Sequence, residues 1–422
     1  MTDMTLQGRT RAASGPRIAF FGLFGNGNSG NDGSLEAMLI AVRKRVPTAR
    51  ITCVCADPDR IRQAFGVSTL PIGHSPIGSR LLGKADRLLA GFPHRIVSFR
   101  RAIRALRGTT LFVVPGTGIL DDFGEGPLGV PCVLLGWCAA ARIAGAKVAF
   151  VSIGAGPIES RISRVLMKAA VKLADYRSYR DEQSRDFMTS IGFDTSGDRV
   201  YPDLAFALPA PKAAPVANGR LTVGLGVMAY YGWRNDPAAG AATHTRYVQT
   251  ISTFADWLLG EGHRVRILMG DAADRETVRR VILTLRADTI IPPGDLEADP
   301  IASLGDLMRQ IAKTDVVVAT RFHNIICALK LGRPTISIGY ARKNDVLLQE
   351  AGLGAYCQSI EALDLDRLKD QFRSLVANRA SLTLGIQAMV DRFKGELLEQ
   401  EVHITDMLLN PTEPADASRE RP

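Results

Sequence analysis

No stretch of this chain approaches the roughly 20 consecutive apolar residues that a membrane-spanning helix needs. A helical integral membrane protein is therefore not expected. The first sixteen residues are polar and carry arginine, with no apolar run before the first strand-like segment. That is not a secretory leader, and the expected location is cytoplasmic. The six cysteines include no Cys-x-x-Cys pair, so the usual zinc and redox frameworks are missing and no metal site is expected. Cys53 and Cys55 stand in Ile-Thr-Cys-Val-Cys-Ala. At strand spacing they share one face, and they read as buried thiols in a protein of a reducing compartment. No tandem repeat is visible, and no Gly-Lys-Ser/Thr follows a glycine-rich loop, which excludes a P-loop.

Acid is the scarcer charge. There are 43 Asp and Glu against 52 Lys and Arg, a formal net charge of +9. Such a balance favours anionic partners: phosphates, acidic sugars or an anionic membrane. Nucleic acid is not expected, because no recognition motif accompanies the charge. A chain of 422 residues that is 46% hydrophobic suits two globular cores better than one.

What is present is an alternation of short apolar runs with helical periodicity. Strands are expected at 17–22, 50–56, 111–115, 147–153 and 177–179, and a helix at 34–46. A second series places strands at 221–227, 264–269, 315–319 and 334–338, and helices at 245–259, 275–285 and 324–331. Strands alternating with helices predict an α/β fold: two Rossmann-like domains facing across a cleft, with parallel sheets flanked by helices. The expected division is a polar tail at 1–16, a first domain at 17–207 and a Pro/Ala-rich linker at 208–219. A second domain at 220–380, a helix at 381–409 crossing back and a tail at 410–422 complete it.

In open parallel sheets, ligands bind beyond the carboxyl ends of the strands. Four such loops stand out. The first, Gly-Leu-Phe-Gly-Asn-Gly-Asn-Ser-Gly-Asn-Asp-Gly at 22–33, offers backbone N–H groups together with Asn28, Asn31 and Asp32. It is out of register with a dinucleotide fingerprint, and no acidic residue in the next strand would hold a ribose. The second, at 114–127, carries Asp121, Asp122 and Glu125 as candidates for sugar hydroxyls or for a base. The third group comprises the Gly-rich exit at 152–157, Arg180 and Asp181 at 178–184, and Val-Tyr-Pro-Asp at 200–203.

The fourth is the sharpest. Arg321 and His323 follow a buried strand and open a helix, and Tyr340 and Lys343 follow the next strand. A helix N-terminus favours an anion. Arg321 brings a planar fork, and His323 the side chain that changes charge near neutral pH.

These loops, in this order, resemble the polysaccharide pyruvyl transferase family over roughly residues 17–358. The likeness rests on Gly-Asn-Ser-Gly-Asn-Asp (27–32, with one residue inserted), Gly-Thr-Gly (116–118) and Arg-Asp-Glu-Gln-Ser (180–184). It also rests on Arg-Phe-His (321–323), Gly-Arg-Pro (332–334) and Tyr-Ala-Arg-Lys (340–343). The resemblance implies a fold similar to glycosyltransferase B. It further implies phosphoenolpyruvate as donor, no cofactor, and a hexose of a bacterial polysaccharide or its lipid-linked precursor as acceptor. The product would be a pyruvate ketal, with phosphate released. On this reading His323 and Arg321 carry the chemistry, and Lys343, Tyr340 and Arg180 join them around the donor. Asn28, Asn31, Asp32, Asp121 and Asp122 face the acceptor.

Two other readings stay open. A nucleotide-sugar glycosyltransferase of the same fold would need a ribose-binding carboxylate in the second half, and none is evident. A non-catalytic sugar-binding or membrane-adaptor protein would not need Arg, His and Lys at one sheet edge. Finally, 94–107 has the pattern of a basic amphipathic helix, with Ile96, Phe99, Ile103 and Leu106 on one stripe and five arginines around it. Packing on its own domain is the commoner outcome for such a helix; peripheral docking on anionic lipid is the alternative.

Overall fold

A computed structural model describes residues 15–73, 92–122, 126–212, 214, 219–232, 237–288 and 290–410. Seven strands make the first sheet: β1 Arg17–Phe21, β2 Arg50–Cys55, β3 Ser68–Pro71, β4 Leu111–Pro115, β5 Lys147–Ile153, β6 Tyr176–Tyr179 and β7 Arg199–Val200. Six make the second: β8 Thr222–Gly226, β9 Arg264–Leu268, β10 Leu296–Ala298, β11 Val316–Ala319, β12 Thr335–Gly339 and β13 Cys357–Ser359.

Each central strand is a nearly unbroken apolar run because helices cover both faces of a parallel sheet. Leu-Phe-Val-Val-Pro of β4 and Val-Val-Val-Ala of β11 are buried at every position. The spatial order is β3-β2-β1-β4-β5-β6-β7 in one sheet and β10-β9-β8-β11-β12-β13 in the other, with every pairing parallel. Both are doubly wound, and the order reverses between β1 and β4 and again between β8 and β11. The two Rossmann-like domains expected from the alternation are present. Cys53 and Cys55 are buried free thiols on one face of β2, and burial pushes both up to about 12.

The domains share a core. Leu35 and Leu39 of the helix Ser29–Arg45, Leu304, and Ile386, Phe393 and Leu397 of the helix Arg379–Leu409 belong to one buried apolar cluster. That last helix reaches the first domain. Phe393 meets Phe206 edge-on at 5.0 Å, Gln400 bonds Ser152 and Ser178, and Glu401 pairs with Arg45 at 2.7 Å. Of the expected linker, residues 213 and 215–218 lie outside the described residues. Ala214 is tied to the second domain, its N–H donating to Ala312 and its carbonyl accepting from Arg333. Residues 1–14 and 411–422 of the expected tails are likewise outside the described residues.

Three local differences from the sequence reading have physical causes. The first helix starts at Ser29 rather than 34, because the Asn28 side chain caps it by accepting from the Gly30 N–H at 3.0 Å. The short edge strands β3, β7, β10 and β13 carry too few residues for a period to show. The stripe at 94–107 forms a helix, Phe92–Leu106, that lies against its own domain. Leu106 is buried, and Phe99 and Ile103 pack on the core, whereas Ile96 is 46% exposed. Most of the expected lipid-facing stripe is thus already covered, while Arg100, Arg101, Arg104 and Arg107 remain exposed.

Candidate active site

The carboxyl ends of β1, β11 and β12 each feed a helix, and the N-termini of Ser29–Arg45, Phe322–Lys330 and Arg342–Glu350 open toward the same cleft. The domains touch there. Asn28 forms an isolated bridge with Asp271, and the Ser29 hydroxyl donates to the Gly270 carbonyl at 2.5 Å. Gly30 lies against the His323 ring so closely that a Cβ at residue 30 would stand 2.0 Å from Cε1. The helix tolerates glycine in its first turn because the imidazole of the other domain occupies that space.

His323 Nε2 lies 4.0 Å from Asp203 Oδ2, and Arg180 Nη1 lies 3.6 Å from the same oxygen. Asp203 follows β7 and caps the next turn, its Oδ1 accepting from the Ala205 N–H. Arg180 follows β6, and its guanidinium rests on Gly154, where a Cβ would come within 2.6 Å of Cζ. His323 Nε2, Asp203 Oδ2, Arg180 Nε and the Thr117 hydroxyl are all buried without a hydrogen bond. Buried polar atoms are normally paired, so a cluster of four marks a place built to receive polar atoms. The Phe322 ring organises the cations: Arg180 stands 5.4 Å and Lys343 5.1 Å from its centroid, and His323 meets it edge-on. Lys343 also stands 5.2 Å from the ring of half-buried Tyr340.

These neighbours set the charge of the imidazole. Burial disfavours the imidazolium most, and Arg180, Lys343 and Arg321 repel it. Asp203 opposes them, and the net effect holds His323 down at about 4. At neutral pH the ring is an uncharged base surrounded by cations.

Arg321 faces elsewhere. Its Nε and Nη2 donate to Asp274 at 2.9 and 2.6 Å, a bidentate pair with a fully buried carboxylate. Asp274 also accepts from the Ala229 and Asp271 N–H groups. Burial works against the Arg321 charge, but the Asp274 bonds and charge outweigh it and its pKa is raised. Only Nη1, 4.0 Å from Asp271, is turned from this pair. The fork expected to grip an anion is therefore held mainly by the protein.

The acceptor-side candidates divide. Asn28 is a cap at the domain contact, and Asn31 is half-buried on the same helix turn. Asp32 turns into its own loop, accepting from the Gly25 N–H at 2.7 Å near Arg60; burial raises its pKa. Half-buried Asp121 has Oδ2 3.7 Å from where a Gly118 Cβ would sit, beside Arg180. Asp122 is structural, its two oxygens accepting from the Glu159 and Ser160 N–H groups at 2.8 and 2.9 Å. Glu125 lies outside the described residues. Among the described residues no cluster of three His, Cys, Asp or Glu is arranged to hold a metal ion.

Sequence reasoning gave Asp203 and Asp274 no role. Asp203 did stand at a strand exit on the correct sheet edge. Asp274, in Asp-Ala-Ala-Asp after β9, looks like any solvated acidic turn.

The family model described as "Polysaccharide pyruvyl transferase" matches residues 28–342. No curated protein matches in sequence. Among solved structures, a putative UDP-N-acetylglucosamine 2-epimerase from Listeria monocytogenes superposes with a TM-score of 0.62 at 12% identity, over 95% of this chain and 99% of that one. The S. aureus MnaA–UDP co-structure gives 0.59 at 11% identity, over 96% and 99%. Anabaena HepE with UDP and glucose gives 0.56 at 12%, over 93% and 99%. At such identities the likeness is one of fold, the glycosyltransferase-B-like pairing of two Rossmann-type domains.

Proposed function

The chain belongs to the polysaccharide pyruvyl transferase family, and from that premise we propose that its donor is phosphoenolpyruvate and its product a pyruvate ketal on a hexose. It is a transferase, and saccharide pyruvylation is what the family implies. The observation that carries the finer reading is the neutral, buried His323, its Nε2 without a hydrogen bond, among Arg180, Lys343 and two domains' helix N-termini. A ligand with both carboxylate and phosphate is the charge that such a place lacks.

Its arrival changes the imidazole. Negative charge beside His323 relieves the repulsion from the three cations and favours the imidazolium, which Asp203 supports from 4.0 Å. The imidazolium delivers its proton to the donor's methylene carbon, leaving a cationic centre at the adjacent carbon. A sugar hydroxyl attacks that carbon, and its proton passes to the now neutral imidazole. The second hydroxyl closes the ketal as the carbon–oxygen bond to phosphate breaks, and its proton leaves with inorganic phosphate. Arg180, Lys343 and the helix N-termini hold the anionic groups throughout. Arg321 adds charge through Nη1 and fixes the strand exit through Asp274. No resident metal or cofactor enters this scheme.

The test is phosphate release from phosphoenolpyruvate with a panel of hexose-containing acceptors, free and lipid-linked, alongside thermal shifts with phosphoenolpyruvate and with UDP. Acceptor-dependent release and a raised Tm with phosphoenolpyruvate are expected. A shift with UDP alone, and no release with any acceptor, would point to a nucleotide-sugar enzyme instead.

A further inference from the structure

Beside the helix Phe92–Leu106 lies a second, predominantly apolar hollow of about 260 Å³, away from the His323 cluster. Leu70–Gly73 beyond β3 form one wall, Phe99 and Ala102 another, and Val133, Gly136 and Trp137 of the helix Val130–Ile143 the third. Arg95 and Arg101 stand at its margin, and no acidic residue is among its described lining. Arg95 is oriented by bonds to the Leu128 carbonyl and the Cys132 sulfur. Exposed Leu128 and Ile96 extend the apolar surface outward.

Gly136 is the informative residue. Glycine inside a helix costs about 1 kcal/mol relative to alanine, and a close neighbour usually explains it, as at Gly30. Here a Cβ would meet nothing within 4 Å. The helix keeps a costly residue whose only structural effect is to leave the hollow open.

Position adds to this. β3 ends at this hollow, the helix Val130–Ile143 starts there, and the loop between β4 and that helix carries Thr117 and Asp121. The hollow thus lies along the same carboxyl edge of the sheet as the candidate active site.

We infer that this hollow binds the hydrocarbon chain of a phosphate-headed lipid, with Arg95 and Arg101 facing the phosphate. An apolar cleft with arginines at its rim and no carboxylate complements a long-chain phosphate; a neutral chain would leave the guanidiniums unmatched. Where the acceptor is lipid-linked, a detail resting on the proposed function, this is where its lipid lies.

Calorimetry with the full chain, without phosphoenolpyruvate, tests the site directly. The probes are farnesyl phosphate, farnesol and inorganic phosphate. Farnesyl phosphate should bind more tightly than either of the others. Gly136→Leu, which fills the hollow from a helical position, should weaken it about tenfold or more with Tm unchanged or raised. Arg101→Gln should narrow the preference for farnesyl phosphate over farnesol. Wild type that ignores farnesyl phosphate, or Gly136→Leu that binds it unchanged, overturns the inference. Farnesyl phosphate binding without phosphate release in the activity assay would sink the donor reading and leave the lipid site standing.

Discussion

Gly30 of the first domain and His323 of the second are in contact, with the imidazole in the space that any side chain at residue 30 would need. The helix N-terminus of one domain therefore fixes the ring of the other, and the seating of the domains and the placement of the imidazole are one property.

Gly30→Ala tests this relationship. A methyl group at 2.0 Å from Cε1 cannot be accommodated without moving the ring or the domain. Overpacking of this kind costs about 1–3 kcal/mol. Tm should fall, and phosphate release should fall by far more than the fraction unfolded explains. A variant with wild-type turnover would show that the contact is incidental.

His323 should make stability depend on pH. The unfolded chain protonates this residue near pH 6.5, whereas burial among cations holds the folded ring at about 4. The unfolded state binds the extra proton between those values. The contribution is complete above about pH 6.5 and is lost as pH falls toward 4, to a total of up to about 3 kcal/mol. Other histidines shift in the same direction, so the readout is wild type minus His323→Asn. That difference should shrink across the window; a flat one would place the ring outside the cationic cluster.

Donor binding should take up protons. An anion beside the neutral imidazole raises its pKa toward neutrality, so calorimetry at pH 7 in buffers of different ionisation enthalpy should show net uptake with phosphoenolpyruvate. His323→Gln should abolish that uptake. Buffer-independent enthalpies in the wild type would remove His323 as the proton donor.

Asp274→Ala should be severe although the residue touches no cleft. It strands the Arg321 guanidinium without its buried partner, and breaking such a pair costs about 3–5 kcal/mol. A double variant, Asp274→Ala with Arg321→Met, should recover part of that loss. If the single variant melts within a degree of wild type, the pair is not the anchor of the β11 exit.

The local periodicities of this chain were enough to establish the alternating α/β architecture. A parallel sheet buries both strand faces, so every central strand becomes a readable apolar run, as β4 and β11 show. Glycines and charged residues at the strand exits marked the sheet edge that carries Arg180, His323 and Lys343. Tertiary structure decided what those residues face. Arg321 looks like an anion clamp until Asp274, 47 residues earlier, accepts its fork. Asp122 looks like a base until the N–H groups of Glu159 and Ser160 claim both its oxygens. Gly30 looks like part of a flexible loop until His323, nearly 300 residues away, fills the space beside it. Propensity and periodicity are sums over neighbours in the chain. Charge, hydrogen bonding and close packing act between whatever groups the fold brings together, and that depends on the two sheets meeting across one cleft.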